Sequence, residues 1–518
     1  MSRHFIPFRL VLGWIMAGHV FTAGPHTLAQ EATSSPDSNA SASRQETPEA
    51  SNGVATEKFG VLKTSPAAFP GYTLLSPLSS LRTFLINLEG EVVHWWDTDR
   101  KVGQTAYLME DGTLWRAGKS ESSFQFPERA GSGGRIQKYD WDGNLLWDYN
   151  ASSKYRMSHH DIEPLPNGNV LCIVWESYDR SIAEEAGRDP RKLRGNVLWF
   201  EAIYELKPVG KTKAEVVWQW SLLDHVIQSD NKAAENYGAP GQHPELVNIN
   251  SMLRPVADWI HMNSIDYNAE LDQILVSSRT FSEVWVIDHS TTTEEAAGHT
   301  GGRYGKGGDL LYRWGNPEMY QLGSISDRMC WNQHDAQWIP KGLPGAGNFL
   351  IFNNGLANTE EAYSTVDEFT PDQNQDGTYR RAKGRPYGPT ELVWTYEDPE
   401  ELFSPRISGA QRLPNGNTLI CSGTQWTLIE VTKQGRVVWQ YRNPPRFIAP
   451  PNKKTGIRPP AMIDRSQEEQ DALRIPNTIP LEDGGTLFRA IRYPVNYPAF
   501  QGKDLSVKSV PKPARIVE

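Results

Sequence analysis

Two alternating patterns of apolar and polar positions run along the chain from about residue 59. The first is an apolar run, a Pro/Asn/Gly turn and a second apolar run, complete at Leu165-Pro166-Asn167-Gly168-Asn169 and at Leu413-Pro414-Asn415-Gly416-Asn417. Looser versions lie at 109–112, 267–270, 339–347 and 481–485. Asn-Gly and Asp-Gly supply the positive φ angles that tight hairpins demand. The second pattern is two apolar residues followed by an aromatic, any residue and another aromatic. It begins at Val92, Leu145, Val216, Leu310, Leu392 and Val437; only the first case breaks the rule, with His94 in the leading aromatic slot. A period of two marks strands with one buried face, here the aromatic one.

Each pattern occurs six times. Six repeats of roughly four strands predict an all-β chain folded as a six-bladed β-propeller. The repeats start with an outer-type strand pair at 72–96 and end with an inner-type hairpin at 479–491. Pairing the N-terminal and C-terminal strands would close the ring and leave no free sheet edge. The propeller is expected over residues 59–500, with a C-terminal tail at 501–518.

Composition agrees with many short strands: 18 tryptophans, and 79 glycines and prolines together. A net charge of −10 argues against general nucleic-acid binding. The cysteines, Cys172, Cys330 and Cys421, are far apart and form no CxxC, which argues against a cysteine-based zinc or redox site. Cys172 and Cys421 fall in matching apolar strands as buried small hydrophobes, and the odd count leaves at least one thiol unpaired.

Residues 1–29 have a basic start, an apolar stretch from Leu10 to Phe21 and a small residue, Ala29, at the end, the make-up of a secretory signal. The apolar stretch is too short for an ordinary membrane span. Residues 30–58, rich in Ser, Ala, Thr, Glu and Pro, read as a disordered linker. A periplasmic or secreted protein follows, with no membrane span after signal cleavage. Residues 223–250 and 357–388 are long polar insertions of the kind that carry function. Asp372-Gln373-Asn374-Gln375-Asp376-Gly377 in the second resembles the start of a calcium loop, but Lys383 stands at the twelfth position instead of Glu.

Aligned by their turns, His160-Asp161-Ile162-Glu163 and His334-Asp335-Ala336-Gln337 match without a gap, and His261-Met262-Asn263-Ser264 fits the same frame. Three successive blades thus carry histidine at one position of the channel-lining strand, the fifth carrying Ser408. His159 precedes His160, and the frame favours His160 as the inward ring. Arg279 ends the strand after His261, where a cation is out of place in a core. Three imidazoles, Asn263 and Arg279 describe an oxyanion pocket. Three histidines also suit a metal, but Arg279 would repel a cation, and Asp161 and Asp335 should alternate to the opposite face; no metal or cofactor is expected.

The run from Asp258 to Tyr267, followed by Ser277-Ser278-Arg279, resembles the bacterial arylsulfate sulfotransferases, as does Gln333-His334-Asp335 followed by Phe352-Asn353-Asn354-Gly355. The resemblance covers most of residues 100–440. It implies a six-bladed propeller that moves a sulfuryl group from an aryl sulfate donor to a phenolic acceptor without a nucleotide sulfate. By the same resemblance His334 is the nucleophile that becomes sulfohistidine in a ping-pong cycle. His160, His261, Asn263 and Arg279 match sulfate-binding and proton-transfer positions. Relatives carry an N-terminal β-sandwich where this chain has only the polar linker, and the oligomeric state is left open. The alternatives are a quinone-cofactor propeller dehydrogenase, which normally needs eight blades and a calcium site, and a non-catalytic ligand-binding propeller.

Overall fold

In the computed structural model of the chain, residues 58–121, 126, 131–251, 255–356, 362–445 and 475–511 are described. The signal expected at 1–29, the linker expected at 30–58 except for its last residue, part of the second insertion (357–361) and the end of the tail (512–518) lie outside them. Among the described residues no helix is long and apolar enough to cross a membrane.

Among the described residues six antiparallel sheets form the blades of a β-propeller, and Val226–Ile227 pairs with Val247–Asn248 in a separate two-stranded parallel sheet. In chain order, blade 1 runs from Val102 to Asn150, blade 2 from Arg156 to Ser221, blade 3 from Met262 to Trp314 and blade 4 from His334 to Glu397. Blade 5 spans Gly409 to Arg442 and gains a fifth, outermost strand from Gly60–Thr64, which pairs with Val437–Arg442. Blade 6 joins the two ends of the chain: Leu487–Pro494 pairs with Gly71–Pro77, which continues through Arg82–Ile86 to Val92–Asp97. The closure differs in detail from the expected two strands plus two. Three strands come from the N-terminal side and one from the C-terminal side, because 481–483 forms a 3-10 turn instead of a hairpin.

The repeated tryptophans hold the blades to one another. One motif tryptophan on the outermost motif strand of each blade donates its indole N–H to a backbone carbonyl of the next blade or its loop. Trp147 donates to Lys213, Trp220 to Gly308, Trp314 to Pro389, Trp394 to Lys433, Trp439 to Leu88 and Trp96 to Asp140, at 2.7 to 2.9 Å. The six bonds run once round the ring. A buried indole needs a partner for its one polar atom, and here each partner lies in the neighbouring sheet. The apolar pair that opens the motif shares this burial in some blades only: Val92, Val93, Leu310 and Leu311 are buried. Leu145, Leu146, Val216, Val217 and Val393 are exposed. Cys172, Cys330 and Cys421 are all buried free thiols.

Inner strands deviate from regular pairing at one level of the channel. The ladder slips opposite Ile173 in blade 2, at Asn263 in blade 3, between His334 and Gln337 in blade 4, and between Val102 and Ala106 in blade 1. Residues in left-handed backbone cluster at the same level: Gln104, His160, His261, Asp335, Ile407 and Ser408. Such conformations cost energy for residues other than glycine and concentrate at functional sites.

Candidate active site

The bulges bring His160, His261 and His334, from three different blades, to one end of the channel. The His160 and His261 rings meet edge to face at 4.6 Å between centroids. Phe488, from the last strand of the chain, lies 6.1 Å from both His160 and His334. Arg279 begins the turn after its strand, its N–H bonded to the His261 carbonyl at 3.1 Å, and its charge acts on both His160 and His334. His160 and His334 are buried, and His261 and Arg279 half-buried.

The protonation pattern of His334 follows from its neighbours. Its Nδ1 faces two acceptors, the Asn354 side-chain oxygen at 2.6 Å and the Asn332 carbonyl at 3.1 Å. Asn354 is oriented by its own NH₂, which donates to the carbonyls of Ser404 and Ile407 at 2.6 and 2.9 Å. Nδ1 therefore carries the proton and Nε2 the lone pair. Burial, then Arg279, hold the ring well below the usual imidazole range, so it is neutral. In the resting structure Nε2 accepts a long bond from the Ile407 N–H at 3.2 Å.

His261 is oriented by Asp258. Its Nδ1 donates to Asp258 Oδ2 at 2.5 Å, which leaves Nε2 as an acceptor in the neutral ring. Asn263 is fully buried, and its Nδ2 donates to the Gln333 carbonyl at 2.8 Å, so one of its two N–H groups steadies the backbone before His334. His159 turns away from His261, stacked on Trp175 at 3.9 Å and bonded through Nε2 to Glu201 at 2.9 Å.

Asp161 and Asp335 do not alternate away from the channel as expected. Arg489 of blade 6 places Nη2 2.9 Å from Asp161 of blade 2 and 2.7 Å from Asp335 of blade 4, and contacts that skip a blade run through the channel. The bulge breaks the period of two, so a histidine and the aspartate after it both line the channel, at different depths. The angles at Nη2 are those of an ion pair, not of aligned hydrogen bonds. Tyr107 donates to Asp161 at 2.7 Å. A cavity of about 150 Å³ beside Arg489 is lined by Tyr107, Glu163, Asp266 and Asp335.

Asp258, Asn354, Glu201 and Arg489 went unread in the sequence as parts of the site. Asp258 and Asn354 stand inside the motif runs quoted above, three residues before His261 and twenty after His334. Nothing local marks Glu201 or Arg489. In the suspected calcium loop, Asp372 pairs with Arg380 and Asp376 bonds Thr378. Among the described residues, the metal-type side chains whose ligand atoms converge are His225, His299 and Asp309, outside the pocket. A cavity of about 820 Å³ lies around the 223–246 insertion and holds none of the three pocket histidines.

A family model described as Arylsulfotransferase (ASST) matches residues 78–443. The "Arylsulfate sulfotransferase AssT" of Escherichia coli O6:H1 is 24% identical over 245 residues, which cover 44% of this chain and 38% of that protein. The match therefore spans well under half the length of that relative. Among solved structures, a protein of unknown function from Bacteroides caccae has a TM-score of 0.39 at 13% identity, covering 72% of this chain and 93% of that one. The β-propeller domain of Cps50 (Swd1) from Myceliophteria thermophila has a TM-score of 0.36 at 10% identity, covering 75% and 91%.

Proposed function

The chain belongs to the arylsulfotransferase family, and we propose on that premise that it transfers a sulfuryl group from an aryl sulfate ester to a phenol, through His334. The observation that carries the proposal is the state of His334: a buried neutral imidazole, its Nδ1 proton pinned by Asn354, with a lone pair on Nε2 among two histidines and an arginine. Nε2 attacks sulfur as the bond to the aryl oxygen breaks, giving sulfohistidine and a phenol. In the second half-reaction the acceptor phenol takes the group and frees His334, a ping-pong cycle.

Sulfuryl transfer, like phosphoryl transfer, asks the protein mainly for positioning and charge stabilisation. Arg279 provides the fixed positive charge for the sulfuryl oxygens, and the Ile407 N–H, already beside Nε2, is a donor placed where a sulfuryl oxygen would come. Asn263 has a second N–H for the same oxygens. His160 is the acid for the leaving oxygen, because the neutral His261 ring, with its Nδ1–H donated to Asp258, presents an acceptor at Nε2. Export through residues 1–29 belongs to the same reading. Six blades do not meet the eight that the quinone dehydrogenase reading requires.

The test is a chase. Incubation with a nitrophenyl sulfate, quenching and peptide mapping should find one sulfuryl group on the peptide that carries His334. Normal turnover by His334→Asn would end the proposal.

A further inference from the structure

Behind His160 stand two buried groups that the transfer mechanism leaves unused. His159 Nδ1 lies 2.8 Å from His160 Nδ1, and His159 Nε2 lies 2.9 Å from Glu201 Oε2. The other Glu201 oxygen accepts the Met262 N–H at 2.8 Å. His159, His160 and Glu201 are 1 to 3% exposed. Trp175, stacked on His159 at 3.9 Å with the planes 9° apart, fixes the ring plane, so the line from carboxyl to ring to ring is rigid.

Such a line has two proton arrangements. Two facing Nδ1 atoms at hydrogen-bond distance share one proton, and so do Nε2 and the carboxyl oxygen. When Glu201 is protonated it donates to His159 Nε2, His159 Nδ1–H donates to His160 Nδ1, and His160 Nε2 carries a proton. When Glu201 is ionised every bond reverses, and His160 Nε2 carries a lone pair. Shifting the protons along the line therefore turns His160 from acid to base without making an imidazolium. Burial favours uncharged members: it pushes the Glu201 carboxyl well above the carboxylate range and both imidazoles well below theirs. Asp258, His261, His334 and Arg279 are the other charged or titratable groups acting on these three.

We infer that Glu201 and His159 form a proton wire that lets His160 protonate the leaving phenolate in one half-reaction and deprotonate the acceptor phenol in the other. The inference rests on the transferase reading above. In the first half-reaction the S–O bond breaks and the S–N bond to His334 forms. His160 Nε2–H goes to the aryl oxygen, His159 resupplies His160, Glu201 resupplies His159, and the negative charge of the departing phenolate ends on Glu201. The second half-reaction runs the same shift backwards and returns the acceptor's proton to Glu201. Both residues act through His160 and are positioning residues, not groups that touch substrate.

The test is Glu201→Gln in the full exported chain. The glutamine oxygen stays on the Met262 N–H, so its NH₂ must face His159 Nε2, which freezes the wire with His160 Nε2 protonated and unable to discharge. Phenol release is followed before steady state across aryl sulfates of graded leaving-group acidity. A nitrophenolate leaves without help, so its release should slow only a few-fold. Release of phenol, with a pKa of about 10, should slow by about 10²-fold or more, the usual worth of a general acid. His159→Asn breaks the wire at its other member and should steepen the dependence in the same way; it carries the test if the Glu201 variant does not fold. Equal loss across the series, or none, overturns the wire. A wild-type protein inert towards every aryl sulfate overturns the wire and the transferase reading together, whereas an active wild type with parallel losses in both variants overturns the wire alone.

Discussion

Replacing Arg489 by methionine removes the cation that joins Asp161 of blade 2 and Asp335 of blade 4 across the channel while keeping most of the side-chain volume. Breaking a buried ion pair by deleting one partner typically costs about 3–5 kcal/mol, because the other charge stays buried. The pH dependence gives a sharper expectation. Burial pushes Asp335 up to about 6 even with Arg489 opposing that shift, so above pH 6 the folded wild type holds it ionised beside the cation. Without Arg489 its pKa rises further, and the folded variant keeps a proton that the unfolded chain, with a carboxyl near 3.9, has released. The sign follows from linkage: the variant's deficit grows by about 1.4 kcal/mol for each pH unit above 6, and the Asp335 share of it fades below pH 6, where both folded proteins are protonated there. Urea unfolding at pH 6, 7 and 8 measures it, with midpoint and slope fitted separately. A loss under about 1 kcal/mol at pH 7, well below the range for a broken buried pair, would refute the reasoning. So would a loss that does not change with pH.

Asn354→Leu should remove the partner that pins the His334 Nδ1 proton and slow sulfation of His334 by about 10²-fold, the order expected for a misplaced reacting group; quenched-flow phenol release reads it. The same change leaves the Ile407 carbonyl bare and the Ser404 carbonyl with only the Ser364 hydroxyl at 3.4 Å, and should cost about 1–3 kcal/mol, read from denaturant midpoints. Gly131→Ala is a test of His160 placement, because a Cβ at Gly131, whose φ is +90°, would lie 1.9 Å from the His160 ring. Turnover of phenyl sulfate should fall by about 10²-fold, and an alanine variant with normal turnover would show that the ring position does not matter.

The parts of this protein that were readable in the sequence are those set by local period and by turn chemistry. The aromatic strands, the Asn-Gly turns and the matched histidine frames all repeat within a few residues, and each maps onto one blade. What the period could not show is what happens where it breaks. Asp335, read by alternation as facing away from the channel, meets Arg489 there, because the inner strand bulges between His334 and Gln337. Arg489 and Glu201 have no local signal at all: Arg489 is brought to Asp161 only by closure of the ring, and Glu201 reaches the channel histidines through His159 from the third strand of its sheet. The same separation explains why the tryptophans were legible as a pattern and not as bonds, since each indole partner is a backbone carbonyl in the next blade or its loop. The bulges therefore serve two ends. They cost backbone strain, and they let one strand turn a histidine and its neighbouring aspartate into the same channel, so that the histidines gather at one depth while the aspartates and Arg489 tie three blades together at another.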